Sequence, residues 1–131
     1  MLERIKRLEG NLAELLRFRE RFGLDGILTD KHTEWALRYG YLETIQVIID
    51  ISCHIVSKYN LGNPSTYAEC IKLLGRYDYL DGGLTARLTA MVGLRNMLIH
   101  QYQEIDAERL YQLLNSTDDI RRFAEQVRGL L

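Results

Sequence analysis

The chain has 131 residues, of which 47% are hydrophobic and 27% are charged, and its formal net charge is -1 at pH 7. This length fits one domain over residues 1–131 with a core of its own, and the composition excludes a disordered chain. The small net charge excludes a general electrostatic attraction to nucleic acid, so any RNA contact requires a local cluster of Lys and Arg.

Apolar residues recur at intervals of three and four along nearly the whole chain, which predicts helices, and no alternating run favours a strand. The second predicted helix has Thr29 or Asp30 as its cap and includes Trp35 in its apolar stripe, and Asp106 caps a short later helix. The predicted helices cover residues 2–22, 30–59, 67–79, 84–99, 106–114 and about 116–130. This order favours an all-α fold, an antiparallel four-helix bundle with an additional C-terminal helix.

The two cysteines, Cys53 and Cys70, lie within helical patterns and lack the spacing of a zinc site. We expect buried free thiols, with neither a disulfide nor a metal centre. The amino terminus lacks the apolar core of a signal peptide. The most apolar stretch, residues 45–56, is shorter than the ~20 residues that a membrane span needs. The sequence therefore predicts a cytoplasmic protein without a membrane contact, a cofactor or a metal.

The fourth predicted helix is apolar on every side, unlike the others. A helix of this kind is buried all round. A small domain can cover it completely by placing it centrally and against a second subunit. The pattern therefore favours a homodimer.

Arg95 is the exception on this helix, because it shares an apolar face with Met91 and Leu98. A guanidinium there needs an acid, a phosphate or solvent to compensate its charge. Two interpretations stay open: an ion pair with Asp50 on the second helix, or a cleft arginine that binds phosphate through two hydrogen bonds. The polar face around Asp50 is either solvated or a support for the guanidinium. Its members are Glu43, Gln46, Asp50, His54 and Ser57.

His100 and Tyr102 follow Arg95 toward the end of the same helix. His100 lies about 140° round a regular helix from Arg95, so one chain presents the pair poorly to a small ligand. Fraying after Ile99 would correct this, and so would a two-fold axis that brings two copies to a shared groove. Taken alone, such a histidine is more often a hydrogen-bonded helix end than a catalyst, and such a tyrosine is more often part of a core.

Residues 95–102, with the sequence RNMLIHQY, are similar to the Arg-x4-His-x-Tyr motif of HEPN domains, and the Arg-Asn opening resembles the HepT branch. The resemblance extends from about Trp35 to Tyr102, and outside this range it rests on helix pattern and length. It implies a HEPN-like helical fold and a homodimeric, metal-independent RNA endonuclease. It also implies the toxin of a type VII-like toxin–antitoxin module, whose antitoxin is a minimal nucleotidyltransferase.

The resemblance also implies roles for individual residues. His100 would act as acid or base and Arg95 would stabilise the phosphate while a ribose 2′-hydroxyl attacks it. Asn96 would bind the same phosphate or fix its neighbours, and Asp50 would support Arg95. Tyr102 would position RNA and accept AMP from the antitoxin. The added bulk and negative charge beside Arg95 would silence the toxin.

Two other interpretations remain open. In the first, the chain is a non-catalytic helical subunit of a nucleotidyltransferase complex, and Arg95 holds the phosphate of a nucleotide or substrate. In the second, it is a structural dimer that has lost activity, although the presence of Arg95, His100 and Tyr102 argues against this. The sequence does not indicate which RNA is the target.

Overall fold

A computed structural model of the chain describes residues 1–100 and 107–131, apart from the side chain of His100. The described residues form helices and no strand, so the predicted all-α fold is confirmed. The helices are α1 (Leu2–Arg21), α2 (Leu24–Thr29), α3 (Lys31–Lys58), α4 (Tyr67–Arg76), α5 (Gly82–His100), α6 (Ala107–Gln112) and α7 (Thr117–Val127), with 3-10 turns at Leu113–Ser116 and Arg128–Leu130. Within this part of the chain, no helix has both the length and the apolar character to cross a membrane.

The longest helix, α3, occupies the centre of the packing and contacts α1, α2, α4, α5 and α6. Most of its apolar side chains are buried, among them Tyr41, Ile48 and Ile55. Leu88 of α5 and Phe123 of α7 belong to the same core. Burial of these side chains from water is the main force that holds the bundle together.

Side chains at the helix starts fix where α3, α4 and α5 begin. Asp30 caps α3 by accepting a hydrogen bond from the backbone of His32 at 3.0 Å. Thr66 accepts from the backbone of Glu69 at 3.2 Å, while the Glu69 carboxylate accepts from the backbone of Ser65 at 2.8 Å. Such caps satisfy N–H groups that have no partner inside the helix. Asp81 does the same for the first turn of α5.

Helices α4 and α5 approach closely at Gly75. A Cβ atom at this position would lie 2.6 Å from Oγ1 and 2.7 Å from Cγ2 of Thr85. Glycine therefore allows α4 to lie directly against α5, and this contact helps to set where the start of α4 stands relative to the end of α5.

The expectation for the cysteines is wrong, because Cys53 of α3 and Cys70 of α4 form a disulfide. Their Cα atoms are 5.1 Å apart, within the range that a disulfide spans. The two residues are separated by 17 positions along the chain and face each other only because α3 packs against α4. The spacing of two cysteines in the sequence does not reveal a pair that comes together only through tertiary packing.

Three further predictions need correction. The predicted helices leave a gap between residues 22 and 30, but Leu24–Thr29 forms α2, which buries Ile27. Trp35 was assigned to an apolar stripe, yet it is 52% exposed. All-round burial of α5 does not hold within one chain, since Ala86, Ala90, Gly93 and Asn96 are exposed and Ile99 is 47% exposed. The predicted cap at Asp106 lies outside the described residues.

Candidate functional site

Arg95 lies on α5, half-buried, at the place where α3, α4 and α5 meet. Its Nη2 donates to Oε1 of Gln46 on α3 at 2.6 Å, and its Nη1 donates to Oδ1 of Asn96 at 3.2 Å. On the α4 side, the guanidinium carbon lies 5.6 Å from the centre of the Tyr67 ring, a cation–π distance. Three helices therefore hold one guanidinium.

Asp50 reaches Arg95 through an intermediate residue. The Oδ1 of Asp50 accepts from Nε2 of Gln46 at 2.9 Å, and Gln46 in turn accepts from Arg95. Among the described residues, a direct ion pair between Asp50 and Arg95 does not occur. The ion pair considered from the sequence is thus replaced by a chain of hydrogen bonds in which Gln46 separates the two charges.

The Nε–H of Arg95 is buried and has no hydrogen-bond partner among the described residues. A buried donor without an acceptor costs about 1–3 kcal/mol, so such a group stands out in a folded protein. A phosphate oxygen is a suitable acceptor, because a guanidinium binds phosphate through parallel N–H groups. The contacts with Gln46, Asn96 and Tyr67 therefore fix the orientation of the Arg95 side chain and leave its Nε–H without an acceptor among the described residues.

The other residues of the motif are only partly placed. Asn96 is exposed on α5 beside Arg95. His100 is the last residue of α5, so the helix continues past Ile99 and the backbone positions of Arg95 and His100 stay about 140° apart. Tyr102 lies outside the described residues.

The polar face of α3 divides between two neighbours. Glu43 forms an ion pair with Arg7 of α1, whereas Gln46 and Asp50 belong to the Arg95 cluster. His54 does not join this cluster: burial lowers its pKa, and the nearby positive charges that add to the effect include Lys58. Only the middle of the predicted polar face, Gln46 and Asp50, therefore contributes to the candidate site.

Sequence reasoning missed the site roles of Gln46 and Tyr67. Gln46 was placed on the polar face together with Asp50, one turn away, but its spacing did not tell which member faces α5. Tyr67 is the first residue of α4 and directly follows the Thr66 cap, which fixes its position at the open end of the helix. The one local signal for the site role of Tyr67 was the position of an aromatic residue directly after a helix cap.

The chain matches the family described as ribonuclease HepT-like over residues 8–127. It is 30% identical over 108 residues to the tRNA nuclease HepT of Aphanizomenon flos-aquae, covering 82% of this chain and 74% of that protein. It is 29% identical over 85 residues to the mRNA nuclease HepT of Shewanella oneidensis, covering 64% of each chain, so it spans less than two thirds of that relative.

The fold is similar to that of a solved structure, the tri-AMPylated HEPN toxin of Shewanella oneidensis in complex with MNT antitoxin. The TM-score is 0.89 at 20% sequence identity, and the match covers 98% of this chain and 96% of that one. At this identity the likeness shows the fold alone.

Proposed function

Because this chain belongs to the HepT-like ribonuclease family, we propose that it is the toxin of a toxin–antitoxin module and cleaves RNA as a metal-independent endonuclease in the cytoplasm. Two relatives are named as nucleases of tRNA and of mRNA, which supports RNA as the substrate class. The observation in this chain that carries the proposal is the guanidinium of Arg95, held by Gln46 and Tyr67 with one buried N–H unused.

The reaction that fits these residues is an internal transesterification. The ribose 2′-hydroxyl attacks the adjacent phosphorus, the bond to the 5′-oxygen of the next nucleotide breaks, and a cyclic phosphate remains. One proton leaves the 2′-hydroxyl and one reaches the leaving oxygen, and in the proposal His100 carries one of these transfers. Arg95 donates to the phosphate oxygens, where negative charge builds in the transition state. Asn96 and the Gln46–Asp50 pair hold the guanidinium in place.

A homodimer accounts for the angle between the two principal residues. Since α5 is continuous to His100, positions 95 and 100 lie about 140° apart around the axis of one helix. A two-fold axis near the end of α5 would place Arg95 of one protomer beside His100 of its partner. Ile99, 47% exposed, supplies apolar surface at this end of the helix. In the proposal, cleavage therefore takes place in a groove that two protomers share.

Control by a partner follows from the same residues. The solved structural neighbour is an AMPylated toxin bound to its MNT antitoxin. In this chain we assign Tyr102 as the hydroxyl that receives AMP from a nucleotidyltransferase antitoxin. An adenylyl group adds a negative charge that competes with RNA phosphate for Arg95. A Tyr102→Phe protein is expected to remain toxic and to escape the antitoxin, whereas silencing of that variant by AMP transfer would contradict the assignment.

The ribonuclease proposal is tested by comparing wild type, His100→Ala and His32→Ala in a bacterial host, with total RNA from each culture separated on a gel. His32 is an exposed histidine on α3 and serves as the matched control. We expect growth arrest and RNA fragments with wild type and His32→Ala and neither with His100→Ala. The purified protein should still cleave RNA in EDTA. Intact RNA and equal growth with all three well-expressed proteins would instead favour a binding subunit in which Arg95 holds a nucleotide phosphate.

A further inference from the structure

A cavity of about 520 Å³ opens beside the Arg95 cluster, between the start of α4 and the end of α5. Tyr67 and Asn96, the two residues that contact the guanidinium from α4 and α5, also line this cavity. The disulfide between Cys53 and Cys70 forms another part of its wall. The volume lies in the range of about 300–1,000 Å³ typical of small-molecule sites. A group bound here would therefore lie directly next to a phosphate held by Arg95.

The chemistry of the wall favours a flat, neutral ligand over a second phosphate. None of the nine described residues that line it carries a charge, and Pro64, Ala68 and Val92 contribute apolar surface. An uncharged wall gives no compensation to an anion, whereas it does not penalise a neutral heterocycle. Phosphate and base would then be held by separate parts of the same site, the phosphate by the cation and the base by the cavity.

Tyr67 and Asn96 supply the two kinds of contact through which proteins hold single-stranded bases. Tyr67 is 52% exposed, so much of its surface stays open although the guanidinium lies over its ring. Aromatic side chains bind splayed bases by stacking. Asn96 uses Oδ1 to accept from Arg95, and among the described residues its Nδ2 has no acceptor. That amide N–H can donate to a ring nitrogen or carbonyl at a base edge.

We propose that this cavity is a nucleobase subsite, in which Tyr67 stacks on the base of a nucleotide that flanks the phosphate held by Arg95. The proposal rests on the proposed function for its choice of RNA as ligand. It assigns Tyr67 a role in substrate binding that is separate from its contact with the guanidinium. It also explains why an exposed aromatic ring stands at the open end of α4, next to the cation.

The test measures binding and requires no cleavage. The probes are fluorescently labelled 2′-deoxy homopolymer decanucleotides of the four bases, which lack the attacking hydroxyl, and a decamer of abasic deoxyribose phosphates with the same charge. We expect Tyr67→Ala to weaken binding of at least one base-containing probe by about 10-fold, equivalent to ~1.4 kcal/mol. Binding of the abasic probe should weaken clearly less, because Gln46 and Asn96 still hold Arg95 against its phosphates although the ring contact is lost.

Two controls separate this role from others. Tyr67→Phe keeps the ring and should bind like wild type. Tyr77→Ala removes a tyrosine of similar exposure, 51%, just beyond the opposite end of α4 and should also bind like wild type. Equal weakening on base-containing and abasic probes would mean that Tyr67 acts only through Arg95 and would overturn the subsite. The subsite would also be overturned if the wild-type protein bound none of the base-containing probes more tightly than the abasic probe. Since no outcome depends on cleavage, failure of the ribonuclease proposal with His100→Ala remains a separate result.

Discussion

Replacing Gln46 with alanine should reduce RNA cleavage even though, in our proposal, Gln46 does not contact the RNA. Its Oε1 accepts from Nη2 of Arg95 at 2.6 Å, and its own Nε2 is fixed by Asp50 at 2.9 Å. The alanine variant leaves the guanidinium with only Asn96 and the Tyr67 ring as neighbours. Arg95 would then sample orientations that do not meet the phosphate, and a catalytic cation acts only when it is already in position.

The magnitude follows from the strength of the bond that is lost. A hydrogen bond to a charged group contributes about 1.5–3 kcal/mol, and we take the lower end because the pair is only partly buried and two other contacts remain. A loss of ~1.5 kcal/mol in the transition state corresponds to about a 10-fold lower kcat/KM. Arg95→Ala removes the phosphate contact itself, for which losses of about 100-fold or more are typical.

The assay is cleavage of a labelled RNA by wild type, both single variants and the double variant, with Gln112→Ala as a control at an exposed glutamine on α6. If Gln46 acts only through Arg95, Gln46→Ala costs nothing further once Arg95 is alanine, and the two effects are strongly non-additive. An undiminished 10-fold loss in the Arg95→Ala background would refute the positioning role. Thermal unfolding of each variant excludes a loss caused by misfolding.

Two predictions concern the packing of α4. The double variant Cys53→Ala/Cys70→Ala should lower the free energy of unfolding by about 3 kcal/mol, because the disulfide closes a loop of 17 residues. This corresponds to a Tm lower by ~10 °C. A reducing agent should lower the Tm of wild type by the same amount and leave the Tm of the double variant unchanged. A wild-type Tm that ignores the reducing agent would contradict the disulfide. Gly75→Ala should destabilise by ~1–3 kcal/mol in chemical denaturation, because its Cβ would meet Thr85 at 2.6 Å and this overpacking exceeds the ~1 kcal/mol that alanine gains in a helix. In a Thr85→Ala background the cost should fall, because only the Cβ of residue 85, at 3.0 Å, still lies close; a stabilised single variant would refute the clash.

Local signals were sufficient for most of the helices. The ends of α1 and α3 lie within about two residues of their predicted positions, since a glycine after α1 and the Asp30 cap of α3 are features of a few neighbouring residues. Helix α2 has six residues, too few for a period of 3.6 to be visible, and it forms because Ile27 is buried against α3 and α6. A tertiary contact therefore determines the helical structure of this segment.

In the candidate site, too, some residues were predictable from local sequence and others depended on tertiary contacts. Arg95 stood out from the sequence because a charge on an apolar face is a property of one helix. Gln46 lies 49 residues from Arg95 in the chain, and its part in the site depends on how α3 rotates against α5. Tyr67 reaches the guanidinium only because α4 packs closely on α5. Residues that carry charge were therefore predictable from one segment, whereas residues that position the charge required the packed structure.

The angle between Arg95 and His100 leads to a test of where the site is assembled. If cleavage needs Arg95 of one protomer and His100 of its partner, then Arg95→Ala and His100→Ala are each inactive alone but complement each other when co-expressed. A mixed dimer keeps one of its two pairs intact. With random assortment about half of the dimers are mixed, so about a quarter of the wild-type activity should return.

Complementation distinguishes a shared groove from a site within one chain, because in the second case every protomer lacks one of the two residues and no combination restores cleavage. The co-expressed variants carry different affinity tags, and sequential purification on both tags isolates mixed dimers for the cleavage assay. Isolated mixed dimers should have about half of the wild-type rate. Inactive mixed dimers, or a folded protein that sediments as a monomer at micromolar concentration, would refute the shared groove and require Arg95 and His100 to meet by a change at the end of α5 instead.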